Sequence, residues 1–304
     1  MTSENAHARG LSPNLAGALL MMASMACFTI NDALIKATGG AVPLFQLLVL
    51  RGLLATFLIA GLAWSLGAFR VKVARADWGW IALRSASEVG AAYFFITALL
   101  NMPLANITAI LQVLPLTVTL GSALFFREAV GWRRMTAIGV GFCGMLLIVR
   151  PGPDGFTLWS VYALIAVLCV TARDLVTRRL SPDAPSLLVT FSASLVVLLA
   201  AGAASLTIEW VPVPLELGRL IAASSLFIVG GYYFSVQVMR QGDVSFIAPF
   251  RYTGLLWALV LGWLMFGEWP GALTLLGAAI VVAASAYTMI RERRLNRRSG
   301  STGV

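Results

Sequence analysis

The chain is a series of long apolar runs separated by short polar joints. Runs of about 20 mostly apolar residues can cross a bilayer as a helix. They fall near 12–35, 44–66, 79–100, 103–126, 134–150, 157–177, 186–206, 217–239, 244–266 and 271–290. Several joints hold helix breakers, among them Gly39-Gly40, Pro103, Pro151-Gly152-Pro153 and Pro270-Gly271. The pattern predicts an all-α membrane protein of ten transmembrane helices, with nothing left over for a soluble domain.

Lysine and arginine crowd one side of that arrangement. With the N-terminus in the cytoplasm, fifteen of the 22 fall on the cytoplasmic side. Lys36, Arg150 and Arg219 fall outside, and Arg51, Arg84, Arg173 and Arg251 fall within spans. The opposite orientation would invert the bias, so the N- and C-termini are both expected in the cytoplasm.

Shifted by 140 residues, the chain matches itself: Ser85, Gly90, Tyr93, Phe126, Glu128 and Gly131 meet Ser225, Gly230, Tyr233, Phe266, Glu268 and Gly271. Nearer the start the shift is 142, and Cys27, Thr29, Asp32 and Pro43 meet Cys169, Thr171, Asp174 and Pro185, with Lys36 opposite Arg178. The expected division is a cytoplasmic tail at 1–11, a first five-helix repeat at 12–150, a second at 151–290 and a basic cytoplasmic tail at 291–304. Five is odd, so the second half enters the membrane from the opposite side. Inverted repeats of this kind are the architecture of secondary transporters, in which two similar halves exchange conformations around a central site.

Composition narrows the reading further. Hydrophobic residues make up 59 % and charged residues 12 %, against about 45–50 % and 25 % in soluble domains, so lipid must solvate the surplus. The net charge of +9 lies in joints and tail, with no basic face interleaved with aromatics, which argues against nucleic acid. The three cysteines, Cys27, Cys143 and Cys169, sit in apolar runs as small packing residues, and the one histidine, His7, precedes the first span. No metal site and no cofactor are expected. No H-E-x-x-H, G-x-S-x-G or phosphate-cradling G-x-x-x-x-G-K-[ST] appears, so neither an intramembrane enzyme nor an ATP-driven pump is expected. The first run is long enough to span, with no basic segment of a cleavable leader before it. Arginine and alanine richness hints at a bacterial source, hence a multi-pass protein of the bacterial inner membrane.

Each half carries an aromatic-rich third helix and a fourth that ends in F-x-E-x-x-G, at Phe126 to Gly131 and Phe266 to Gly271. With the run from Ala26 to Lys36 in the first helix, the chain resembles the drug/metabolite transporter superfamily, EamA type, over about residues 12–290. The resemblance implies a central cavity lined by the first, third and fourth helices of each half. It also implies peripheral fifth and tenth helices, with a homodimer as one option; Gly139, Gly141, Gly144, Gly277, Ala278 and Ala279 fit close packing there. Members carry amino acids, nucleosides, riboflavin, nucleotide sugars and drugs, so the resemblance leaves the substrate open.

Ionisable groups at mid-membrane cost about 2.5–3.5 kcal/mol on insertion scales, so they tend to face a cavity or one another. Glu88 lies roughly 13 Å into the third span at 1.5 Å per residue, with Arg84 one turn earlier on the same face. This pair is the leading substrate or proton site; a self-satisfied ion pair is the plainer alternative. Asp32 and Arg51 lie where the first and second spans can meet, and the repeat pairs Asp32 with Asp174, so these three are gate candidates. Arg173 and Asp174 also sit where snorkelling to the interface is cheap. Arg251 offers a planar fork suited to carboxylate or phosphate, with Tyr252 beside it. Tyr93, Tyr233, Gln237, Gln112 and Asn106 add polar tips to apolar walls, the character of a site for a planar or amphipathic ligand; interhelical hydrogen bonding is the alternative for each. Pro115 and Pro249 mark kinks or hinges.

These observations point to a secondary transporter that moves a small organic metabolite by alternating access. An amino acid or related zwitterion is slightly preferred, because cavity candidates of both signs could pair an ammonium and a carboxylate. Riboflavin or another planar metabolite is the alternative, and a flippase of lipid-linked substrates is the alternative of another class. The expected partners are the small-molecule substrate and membrane lipid.

Overall fold

The computed structural model describes residues 13–71, 73–127, 131–149, 157–181, 183–238 and 247–300. All regular structure among them is helical: α1 Pro13–Ala37, α2 Leu44–Ser65, α3 Arg75–Asn101, α4 Leu104–Leu111, α5 Leu114–Phe126, α6 Trp132–Val149, α7 Leu158–Thr177, α8 Ser186–Ser205, α9 Leu215–Val238, α10 Thr253–Phe266 and α11 Ala272–Gly300. Short 3-10 turns occupy Ala68–Arg70 and Ala248–Tyr252. By length and composition six stretches are apolar enough to cross a membrane: Leu15–Ala37, Leu44–Ser65, Leu104–Phe126, Leu158–Thr177, Ser186–Ser205 and Leu215–Ser235. Shorter apolar helices cover Met135–Val149, Phe250–Phe266 and Ala272–Tyr287. α3 falls outside both groups; Arg84 and Glu88 lie within it.

Proline punctuates this architecture. Pro43, Pro103 and Pro185 stand immediately before α2, α4 and α8, where the missing N–H costs no helical hydrogen bond. The predicted fourth span is broken in the middle. Gln112 and Val113 bond three residues back, to Ala109 and Ile110, and Leu116 bonds Val113. Pro115 then sits in the first turn of α5, where it has no N–H to give the preceding turn. The predicted ninth span is interrupted likewise, by the 3-10 turn that holds Pro249. The carbonyl freed at Gln112 is met by the Ser285 hydroxyl of α11 at 3.4 Å, and the Ser285 side chain also bonds Tyr252. A shift of 140 puts Gln112 and Tyr252 in register, so the two interruptions meet through one serine.

Contacts at the helix ends give six of the helices a direction. Lys36, at the end of α1, donates to the Met102 carbonyl just past α3 (2.6 Å). Asp77, at the start of α3, accepts from the Ser181 hydroxyl just past α7 (2.6 Å). Gln46, near the start of α2, donates to the Val211 carbonyl just before α9 (2.8 Å). One end of the bundle therefore holds the end of α1 and the starts of α2, α4 and α9. The other holds the start of α3 and the end of α7. α7 and α9 therefore run opposite to α1 and α3, their matches in the first half.

The halves are interlocked rather than side by side. α1 packs on α9, α3 on α7, α2 on α8, α4 on α10 and α6 on α11. Each pair joins one half to the other, and the first two pairs exchange under the repeat. Close contacts obey the same symmetry. A Cβ on Gly90 of α3 would lie 3.0 Å from the Cys169 sulfur of α7, and one on Gly230 of α9 would lie 3.5 Å from the Cys27 sulfur of α1. These four residues are the two repeat-matched pairs. α6 and α11 cross where glycine faces glycine: a Cβ on Gly144 would meet the Gly277 carbonyl at 2.9 Å, and one on Gly277 the Gly144 carbonyl at 2.5 Å. Some of the small residues assigned to the periphery thus serve an intramolecular crossing.

Candidate functional site

A cleft opens midway along the bundle where α2, α3, α8 and α9 meet. It encloses about 600 Å³ of empty space, part of it open to the exterior, and its polar lining is Arg51, Arg84, Glu88, Thr190, Ser194 and Tyr232. The second and third helices of each half form it. The family resemblance pointed instead to the first, third and fourth, so α3 and α9 are the shared prediction and α2 and α8 the difference.

Three carboxylates and three guanidiniums gather on and behind this cleft. Arg173 of α7 reaches Glu88 of α3 at 3.4 Å and Asp174 at 2.8 Å. Arg84, one turn before Glu88, approaches it at 3.9 Å and donates to the Thr177 hydroxyl at 3.2 Å. Arg51 donates to the Asn31 side chain (3.1 Å), which donates to Asp32 (2.8 Å). Asp32 and Arg51 do approach each other, as their positions suggested, with Asn31 between them. Tyr232 lies within electrostatic reach of Glu88, Arg173, Arg84 and Arg51 and edges onto Phe28 at 5.4 Å. The halves are also pinned here by hydroxyl pairs, Thr56 with Ser194 and Thr117 with Thr171, each at 2.7 Å.

The repeat shows that the two halves contribute unlike charges to the site. Asn31-Asp32 and Arg173-Asp174 are matched dipeptides, but Glu88 is matched by Ile228 and Arg84 by Ser224. Arg173 finds a carboxylate opposite, whereas Asn31 does not and turns to Arg51. Arg173, Tyr232 and Asn31 were not among the sequence candidates. Near a helix end an arginine can reach the interface, and only the crossing of α7 over α3 turns this one inward; the Asn31–Arg173 match was the available signal.

Toward the end of the bundle holding Gln46, an aromatic group adjoins the cleft. Tyr93 stacks on Phe45 (6.0 Å) and meets Phe94 edge-on (5.1 Å), and Tyr162 joins Phe94 and Trp159 (5.2 and 5.8 Å). The remaining candidates lie elsewhere. Arg251 and Tyr233 are exposed and Gln237 half-buried, all outside the cleft lining. Tyr252 and Gln112 are buried at the helix interruptions, and Asn106 lies near the start of α4 with its side-chain oxygen buried and without a hydrogen bond. Trp78, Trp132, Trp210 and Trp269 are half or more exposed near span ends, as an interfacial belt requires. Among the described residues no cluster of His, Cys, Asp and Glu could hold a metal ion.

Comparison with known proteins agrees with this geometry. The model of the EamA-like transporter family matches twice, at residues 15–150 and 157–290. The chain is 28 % identical over 293 residues to a riboflavin transporter of Vibrio cholerae, covering 93 % of this chain and 96 % of that one. It is 26 % identical to the pseudopaline exporter CntI of Pseudomonas aeruginosa (88 % and 94 %). It is 23 % identical to an S-adenosylmethionine uptake transporter of Rickettsia bellii (63 % and 66 %). One solved crystal structure superposes with a TM-score of 0.60 at 18 % identity, covering 92 % of this chain and 99 % of that one, which shows a shared fold.

Proposed function

The chain belongs to the EamA-like transporter family, a multi-pass membrane transporter of small molecules and not an enzyme, and from that premise we propose what it carries and how. It is a secondary transporter of the bacterial inner membrane with ten spans and cytoplasmic N- and C-termini. Its repeats divide as 12–150 and 151–290, and it moves an organic metabolite of zero net charge by alternating access through the cleft of α2, α3, α8 and α9. The observation that carries this reading is the charge balance of the site. Asp32, Glu88 and Asp174 stand against Arg51, Arg84 and Arg173, each in contact with a member of the other sign or one residue removed from it. In a low-dielectric site an added net charge would go uncompensated, which is costly. A neutral or zwitterionic ligand adds none. Secondary transport needs only the substrate gradient or a coupled ion, with Glu88 the proton site of choice and Asp32 second.

Within that class a planar heterocycle such as riboflavin is the leading substrate. The aromatic group of Phe45, Tyr93, Phe94 and Tyr162 beside the cleft supports it, as does the relative that matches nearly full-length. An amino acid or similar zwitterion is the second reading, favoured by carboxylate and guanidinium at one site. Binding tests both. Purified protein should quench riboflavin fluorescence saturably, with an amino-acid panel competing weakly. Competition by an amino acid without flavin binding would select the second reading, and no binding of either would point to a lipid-linked substrate.

A further inference from the structure

At one end of the bundle Lys36 closes the boundary between the halves. Its ammonium lies 3.1 Å from Glu268, donates to the Met102 carbonyl and sits 5.4 Å over the Phe266 ring. The second oxygen of Glu268 accepts from the Leu104 N–H at 3.0 Å, so it also caps the start of α4. At the opposite end Arg178, just past α7, lies 5.7 Å over the Phe126 ring and Arg179 lies over the same ring at 4.5 Å, and Arg178 donates to the Ser122 hydroxyl. The repeat matches Lys36 with Arg178 and Phe266 with Phe126. The same cation-on-ring contact therefore occurs at both ends. Each joins the end of the first helix of one half to the end of the fourth span of the other. Glu128, the match of Glu268, lies outside the described residues.

We infer that Lys36–Glu268–Phe266 and Arg178–Phe126 are a pair of latches, one for each face of the membrane, and that the transport cycle releases one while the other holds. The inference rests on the alternating-access reading. It follows from three properties of these contacts. Lys36–Glu268, Lys36–Phe266, Arg178–Phe126 and Arg178–Ser122 each bridge the two halves, whereas the Lys36–Met102 bond lies within the first. They are charge-assisted, so each weighs on the balance between open and closed. Glu268 keeps about a quarter of its side chain exposed (26 %), so water can replace the lysine when the end opens. Asp32, Arg51 and Asp174 then belong to the mid-bundle network, and the gates sit at the ends.

The test measures distance without any substrate. In a background with Cys27, Cys143 and Cys169 replaced by alanine, nitroxide pairs are placed at Ala41 with Ala272, and at Met135 with Asp183. The first spans the Lys36 end and the second the Arg178 end, and all four sites are exposed. Glu268→Gln should raise the long-distance population of the first pair about three- to tenfold, the scale of a partly exposed charge-assisted contact. The second pair should not lengthen. Arg178→Gln combined with Arg179→Gln, which removes both cations from the Phe126 ring, should do the converse. No change in either variant overturns the latches, and so does simultaneous lengthening at both ends, which would mean general loosening. If every candidate substrate fails to bind while the distances shift as described, the latches stand and the substrate reading falls.

Discussion

Arg173 on α7 reaches Glu88 on α3 at 3.4 Å, and this ion pair ties the two halves together halfway along the bundle. Side-chain exposures of 22 % and 19 % place it between a surface pair and a buried one. Removing one partner of a buried pair costs about 3–5 kcal/mol; with this exposure about 2–3 kcal/mol is expected. Glu88→Gln and Arg173→Gln should together lower the melting temperature in detergent by less than the sum of the two single changes, because the second finds the contact already lost, while Arg173 keeps Asp174 in the first variant. Strictly additive losses would contradict the pairing.

The Gly90–Cys169 and Gly230–Cys27 contacts are repeat mates with different clearances. Gly90→Ala puts a methyl 3.0 Å from sulfur and should cost about 1–3 kcal/mol, the usual range for overpacking. Gly230→Ala, at 3.5 Å, is ordinary contact and should cost well under that. Adding Cys169→Ala to Gly90→Ala removes the obstructing sulfur and should recover most of the loss, as read by thermal denaturation.

The helices before the two F-x-E steps end alike, in a left-handed residue, but with different side chains there. Gly267 has φ 64° and its repeat match Arg127 has φ 54°. For a residue with a Cβ that conformation costs roughly 1–2 kcal/mol. Arg127→Gly should raise stability by about 1 kcal/mol, and Gly267→Ala should lower it by a similar amount.

Arg251 is the clearest test of where the substrate goes. It is exposed and lies apart from the cleft, so Arg251→Gln should leave substrate affinity within about twofold. Ser194→Trp, which fills the cleft from α8, should abolish binding while the protein remains monodisperse. The reverse outcome would relocate the site to α10.

Much of this arrangement was legible in the sequence. Every predicted apolar run contains a described helix, because nothing but a helix satisfies the backbone of such a run in lipid. The 140- and 142-residue shifts anticipated which residues would become symmetry mates, down to the glycine and cysteine pairs. The interruptions at Gln112 and Tyr252 followed from Pro115 and Pro249. What the sequence could not show was direction around each helix axis. Arg173 at a helix end could as easily have reached the interface, and its partner, Glu88, is 85 residues away. Lys36 and Glu268 are further apart still. Their repeat matches were visible, but a match does not say what a side chain touches. Whether α2 or α1 would line the cleft depended on how the halves interlock, which periodicity does not encode.

In the proposed cycle a neutral organic solute crosses through the cleft between the interlocked halves. Counterflow of labelled riboflavin into proteoliposomes preloaded with unlabelled riboflavin measures it most directly, with Ser194→Trp and Arg251→Gln run beside the unaltered protein. Counterflow is expected for the unaltered protein and for Arg251→Gln, none for Ser194→Trp, and competition by neutral flavins but not by their phosphorylated, dianionic forms. Undiminished counterflow in Ser194→Trp, or equal competition by the dianionic flavin, would contradict it.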